Sequence, residues 1–155
     1  MLSNPWSIDN TKPHLSWKIE AEKQATEQTA YQILAASDKQ LLSEEKADLW
    51  NSGKIKSPES IWINYAGKLL SSRSVVYWKV RIWSNKEKVS QWSETASFSV
   101  GLLNADDWQA EYIGMNDKKK DPESPLFRKT FQVTHESKLA FLHVNSLGYH
   151  EVYIN

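Results

Sequence analysis

Residues 75–84 read VVYWKVRIWS, and their side chains alternate without a slip. Tyr77, Lys79, Arg81 and Trp83 fall on one face, and Trp78, Val80 and Ile82 on the other. A period of two carried by β-branched and aromatic residues is a strand pattern; a helix, turning through about 100° per residue, would scatter these side chains around its axis. A polar segment, SNKEKVS, comes next, and Gln91-Trp92-Ser93 opens a second run. The stretch predicts a long strand, a turn and a returning strand. One face of that hairpin enters an aromatic core, and the other layers Lys79 and Arg81 beside Trp92.

The preceding chain supplies strands to cover it. Residues 1–12 are polar and form an extended arm with Trp6 as its anchor. Residues 13–19 alternate Leu15, Trp17 and Ile19 against polar neighbours, and Pro13 can start that strand without losing a needed N–H. Residues 28–37 put Tyr31, Ile33 and Ala35 on one face. Asp38 is an N-cap for a short helical turn over KQLLSEEKA, because its carboxylate can accept the free N–H groups of a first turn. A strand bent at Gly53 spans 48–55, another spans 61–65, and residues 95–100 close the set. About seven strands in about 90 residues, with turn signals roughly every ten, predict an all-β chain whose first domain is an antiparallel β-sandwich of the fibronectin type III or immunoglobulin kind. Trp17, Trp50, Trp62 and Trp78 are assigned to its core.

After Gly101 the character changes. Residues 102–107 form a linker, 115–125 a charged loop, and 108–113, 126–133, 138–144 and 149–155 alternate as strands. Phe127, Phe131, Leu139, Phe141, Val152 and Ile154 need a facing sheet that little remaining sequence can supply. The expected division is a sandwich over 1–103 and the cut-short start of a second β domain over 104–155. A strand at the C-terminus would leave a sticky edge able to pair a second copy.

Totals exclude several classes. Nineteen basic and nineteen acidic residues give zero net charge, so there is no electrostatic footprint for nucleic acid or an anionic membrane. No apolar run approaches the roughly 18 residues of a membrane span. No signal-peptide pattern opens the chain, which makes the cytoplasm the default location. Without cysteine there is no thiol nucleophile, disulfide framework or zinc-finger site. Eight Trp in 155 residues point either to a Trp-rich core or to a surface that stacks on sugars.

The ordered segments NPWSID, HLSW, QTAYQILAAS, DLWNSGKIKS, YAGKLLSSRSVVYWKVRIW, QWSETASFSVGLL, DWQAEYI, LFRKTFQV and GYHEVYIN cover nearly the whole chain. In that order and spacing they resemble the start of bacterial α-L-rhamnosidases of the large inverting glycoside-hydrolase type. Tyr112 and Asn51 depart from the family, which more often has Trp and Asp there. The resemblance implies a fibronectin-like sandwich, then the start of a second, jelly-roll-like β-sandwich similar to carbohydrate-binding domains. Beyond it would come an (α/α)6 barrel carrying the catalytic carboxylates. The family's general acid and base, roughly 6.5–9.5 Å apart to admit water, would lie far downstream, so no catalytic residue transfers to this chain.

The residues themselves agree with that silence. The adjacent pairs Asp106-Asp107 and Glu44-Glu45 fall in a linker and a surface helix, and carboxylates of that kind are mostly solvated. His14, His135, His143 and His150 lack metal-binding spacing. No nucleophile motif or phosphate loop is present, and no cofactor or metal is expected. The one candidate surface is Trp83 and Trp92 with Arg81 and Lys79, either as a structural cation–indole stack like the Trp-Ser motif of fibronectin-like receptor domains or as a platform for a pyranose. Trp6 and Trp108 flank the sandwich in sequence and are assigned to its junction with the neighbouring domain. Three readings are open. The first is a non-catalytic N-terminal part of a rhamnosidase, with the downstream barrel as partner. The second is a carbohydrate-binding module for a rhamnosylated glycan, and the third an interaction module that dimerises through its last strand.

Overall fold

The computed structural model describes residues 3–21, 24–86, 88–115, 124–134, 136 and 139–154. Among the described residues there are seven strands: β1 (His14–Leu15), β2 (Gln28–Ala36), β3 (Trp50–Asn51), β4 (Ile55–Lys56), β5 (Ile63–Asn64), β6 (Val75–Ser84) and β7 (Ala96–Ser99). β2 and β6 are the long pair. They run antiparallel with Tyr31 opposite Ile82, Ile33 opposite Val80 and Ala35 opposite Trp78 on one face. Gln32 opposite Arg81, Leu34 opposite Lys79 and Ala36 opposite Tyr77 take the other. β7 extends this sheet along β6, and β3 and β4 both pair with β2 on its far side. β1 and β5 form a separate two-stranded sheet.

The two sheets share one core. Leu15 and Ile63, opposite each other on the small sheet, pack with Tyr31, Ile33, Val76, Trp78, Val80 and Phe98 of the large one. Rings meet edge to face, the arrangement their quadrupoles favour: Trp17 on Tyr31 at 5.1 Å, Trp50 on Tyr65 at 5.4 Å and Tyr65 on Phe98 at 6.2 Å. Polar groups drawn into this region are satisfied. The buried Gln28 accepts from the Trp17 indole at 3.0 Å and donates to the Ser57 and Glu59 carbonyls.

β2 is buried on both faces, with only Thr29 exposed. Its second face, Leu34 and Ala36, is covered by Leu42, Leu41 and Ala47 from the excursion after the strand, together with Tyr77 and Trp92. That excursion holds a single 3-10 turn, Lys39–Leu41, capped by the Asp38 carboxylate, which accepts from the Gln40 N–H at 2.8 Å. The cap falls where the sequence puts it, and the helix is shorter. Its Leu41 and Leu42 must reach down to the sheet, and KQLLSEEKA is too short and polar to bury a whole helical face.

The strand expected over 48–55 divides into β3 and β4 around Gly53, which takes φ +60. A left-handed residue is nearly free for glycine and costly for others. The Ile33 N–H, facing this break, donates to the Ser52 hydroxyl at 2.8 Å. At the 66–68 turn, a Cβ on Gly67 would meet the Tyr65 hydroxyl at 2.5 Å and the Trp50 Cβ at 2.6 Å, so that position has no room for a side chain.

Other expectations are corrected. Trp62 is 71% exposed, with φ 58, and is not a core residue. Ile63 and Tyr65 take the core positions, and their neighbour, one residue out of step, has to point outward. The strand over 13–19 shrinks to β1, and Ile19 is exposed at its end. The returning strand starts at Ala96 rather than at Gln91.

The chain divides into two compact units, Met1–Glu111 and Tyr112–Asn155. The 3-10 turn Ala105–Asp107 is fastened to the first unit. Ser72 donates to the Asp107 carboxylate, and Arg73 Nη2 donates to the Asp107 carbonyl at 2.9 Å. In the second unit no described residue lies in a strand or helix. Leu126, Phe127, Phe131, Val152 and Ile154 are exposed there, as apolar strand faces without a covering sheet would be. Residues 149–154 thus present no strand edge, and much of the 115–125 loop lies outside the described residues.

The core yields two predictions. Ile33 is fully buried, so Ile33→Ala costs about 2–5 kcal/mol, whereas Ile61→Ala, at a site 56% exposed, costs within about 0.5 kcal/mol; urea denaturation measures both. Burial, reinforced by the nearby Asp48 charge, pushes the Tyr65 phenol up to about 12. The folded state thus prefers neutral Tyr65 more than the unfolded chain does. That stabilisation is complete below the unfolded value of about 10 and is lost as pH rises through about 12. The urea midpoint should fall across that window, and less steeply in Tyr65→Phe.

Candidate functional site

Lys79 and Arg81 stand two residues apart on β6 and so share a face. Trp92, on the segment returning from β6, lies where both reach it. Lys79 Nζ is 5.0 Å and the Arg81 guanidinium 4.6 Å from its ring centre. Arg81 is also 5.2 Å from the ring of Trp83, which Lys54 Nζ, from the break between β3 and β4, approaches to 4.6 Å. Lys39 lies 5.4 Å from the Tyr77 ring on the same face. The four residues the sequence singled out are therefore brought together, with Lys54, Lys39 and Tyr77 continuing the series.

Two devices hold it. Arg81 Nε and Nη2 both donate to Gln32 Oε1, at 3.1 and 2.7 Å, and Nη2 pairs with the Glu44 carboxylate at 2.8 Å. Gln32 donates in turn to Asn51 Oδ1, and Asn51 Nδ2 donates to the Glu44 carbonyl. One guanidinium thereby joins β6, β2, β3 and the excursion after β2. The second device replaces part of a β-ladder. The N–H groups of Val80 and Ile82 donate to the hydroxyls of Ser93 and Ser90, at 3.1 and 3.0 Å. The N–H groups of those serines donate back to the Val80 and Ile82 carbonyls, at 2.8 and 2.9 Å. Trp92 sits between the two serines and is fixed on both sides.

Chemically this face fastens. Both indoles already carry cations, and the strongest donor, Arg81, is committed to Gln32 and Glu44. One carboxylate of each acidic pair is similarly occupied: Glu44 pairs with Arg81, and Asp107 accepts from Ser72 and from the Asn104 N–H at 2.9 Å. Hydrogen bonding from Ser72, then from Asn104, holds the Asp107 carboxyl below the usual range, opposite to the raised value a general acid needs. His14 packs edge-on to Trp62 at 5.0 Å, His143 stacks on Phe141, and His150 Nδ1 bonds the Ser146 hydroxyl. His135 lies outside the described residues, which contain no cluster of three His, Asp or Glu able to hold a metal. Trp108 closes the 105–107 turn through its N–H. The sequence reading missed Gln32, Asn51, Ser90 and Ser93. Gln32 was visible as a polar residue inside an apolar strand, whereas the serines become legible only once the register is known.

The fold and this fastened face define an immunoglobulin-like all-β sandwich. The sequence model of the family described as "Rha78A-like, N-terminal immunoglobulin domain" matches residues 1–104, and the chain belongs to that family. An α-L-rhamnosidase of Formosa agariphila is 37% identical over 163 residues, covering 99% of this chain and 18% of the relative. An α-L-rhamnosidase of Streptomyces avermitilis, solved in complex with L-rhamnose, superposes with a TM-score of 0.67 at 34% identity, over 70% of this chain and 10% of that one. The α-L-rhamnosidase of Dictyoglumus thermophilum gives 0.66 at 36% identity, over 70% and 12%. The chain thus spans less than a fifth of the length of these relatives.

Arg81→Ala should lower stability by about 2 kcal/mol, since charge-assisted hydrogen bonds and a cation–π contact are lost together. Arg81→Lys should recover less than half, because an ammonium cannot make the forked contact to Gln32. Urea denaturation of the two variants checks both values.

Proposed function

We propose that this chain is the non-catalytic N-terminal part of an α-L-rhamnosidase, a scaffold that packs on and orients a catalytic domain encoded downstream. The observation that carries this reading is coverage. Nearly the whole chain aligns with proteins named α-L-rhamnosidase while accounting for 17–18% of the lengths of three of them. The carboxylates support it, because Glu44 and Asp107 are tied into structural contacts. Residues 104–155 fit the opening of a second β domain. Their alternating apolar residues stand exposed in the second unit, as strands would before the rest of their sheet is supplied. In the whole protein, inversion at a terminal α-L-rhamnoside would then be the work of a general acid and a general base on the downstream domain.

The purified chain should release no chromophore from an aryl α-L-rhamnoside above the uncatalysed rate, in an assay where a full-length relative turns over. Turnover that co-purifies with the chain would overturn the reading.

A further inference from the structure

Two surfaces of the first unit are already occupied. On the large sheet Trp83 and Trp92 carry cations. The outer edge of β7 holds the N-terminal arm: Ser99 N–H donates to the Pro5 carbonyl at 3.1 Å, Ile8 N–H to the Ser99 carbonyl at 2.9 Å and Ser97 N–H to Asn4 Oδ1 at 2.8 Å. The outward face of the small sheet is different. β1 and β5 turn Leu15 and Ile63 into the core, which puts the opposed pair His14 and Asn64 on the outside. Beside them in the chain Ile61 and Trp62 stand 56% and 71% exposed.

This exposure is not fraying. The Trp17 N–H donates to the Ser60 carbonyl at 2.9 Å, the Trp62 N–H to the Ser16 hydroxyl at 3.1 Å and the Tyr65 N–H to the Pro13 carbonyl at 3.0 Å, so the backbone is held on both sides of Trp62. Within that hold Trp62 takes φ 58. Left-handed backbone is costly for a bulky residue and persists only where surrounding contacts over-determine it. The His14 ring, edge-on at 5.0 Å, steadies the indole. The chain thus accepts strain to hold an indole in water, and Trp is among the side chains that dominate the energy of protein interfaces.

The occupant follows from size and chemistry. The aligned region makes up 18% of the Formosa agariphila relative, so more than four-fifths of such a polypeptide lies outside it. A domain on the same chain meets this face at an effective concentration in the millimolar range, so a contact centred on one indole suffices. His14, Ser16, Ile61, Trp62 and Asn64 include no carboxylate, ammonium or guanidinium, which calls for an apolar seat rather than a charged one.

We infer that the outward face of β1 and β5 seats the downstream catalytic domain, with the Trp62 indole inserted into an apolar groove of that domain. The inference rests on the scaffold reading and deepens it by naming the face.

The test is hydroxyl-radical footprinting, read by mass spectrometry, on three forms: the 155-residue chain, a form ending before the catalytic domain, and the full-length protein. Trp62 should be oxidised readily in the first two and at least about tenfold more slowly in the third, as a desolvated anchor would be, whatever the protein concentration. Trp62→Asn keeps a residue that tolerates left-handed backbone. It should leave the urea midpoint of the 155-residue chain unchanged or raised, while the full-length enzyme should lose activity on heating at least about fivefold faster. Equal oxidation in all three forms, protection already present without the catalytic domain, protection that grows with concentration as a second copy would give, or a full-length variant as heat-resistant as its parent would overturn the inference and leave the scaffold reading standing. A full-length protein without rhamnosidase activity would overturn both.

Discussion

The pairing of β2 with β6 is the constraint on which the rest of the first unit depends. Seven residue pairs, Ala30–Trp83 through Ala36–Tyr77, lie in one antiparallel register, and a slip of one residue that turned β6 over would exchange Trp78 and Val80 for Lys79 and Arg81 in the core. The penalty for burying two cations without partners fixes that register firmly. Once it is fixed, Gln32 is opposite Arg81 and the Arg81–Glu44–Asn51 network can close. The small sheet and β7 add their core residues to a surface already defined.

A second theme is substitution of serine hydroxyls for backbone carbonyls. The N–H groups of Ile33, Val80 and Ile82, all on the two long strands, are satisfied by Ser52, Ser93 and Ser90. Each site is one where the neighbouring segment leaves the regular ladder: at the break between β3 and β4, and along the return to β7. A buried N–H must find an acceptor, and a hydroxyl supplies one while letting its own backbone bend. The bend along the return is what brings Trp92 across Lys79 and Arg81.

This division explains what could be read from the sequence. β6, β2, the Asp38 cap and the bend at Gly53 were legible because each is local: an alternation, a carboxylate ahead of a turn, a glycine inside an apolar run. The cation–indole group was legible because its members arise from period two and one hairpin. Trp62, the serine contacts and the attachment of the arm to β7 were not. Their placement depends on which of two adjacent residues the distant sheet claims, and on strand edges that exist only after pairing. The alternation in 126–154 reads as strands in sequence, yet a strand face without a facing layer gains too little from burial to form. No single-sequence signal distinguishes that case.

The arm on β7 has a consequence of its own. A sheet offers two rows of unpaired backbone groups, one at each margin, and either can capture a foreign strand. Here one margin is occupied by residues 5–8, and the other is divided at Gly53 into the two-residue pieces β3 and β4. One margin is closed by the chain itself and the other is too broken to template a long strand. A module insulated in this way can be strung beside other β-rich modules, at the very high local concentration a single polypeptide imposes, without exchanging strands with them.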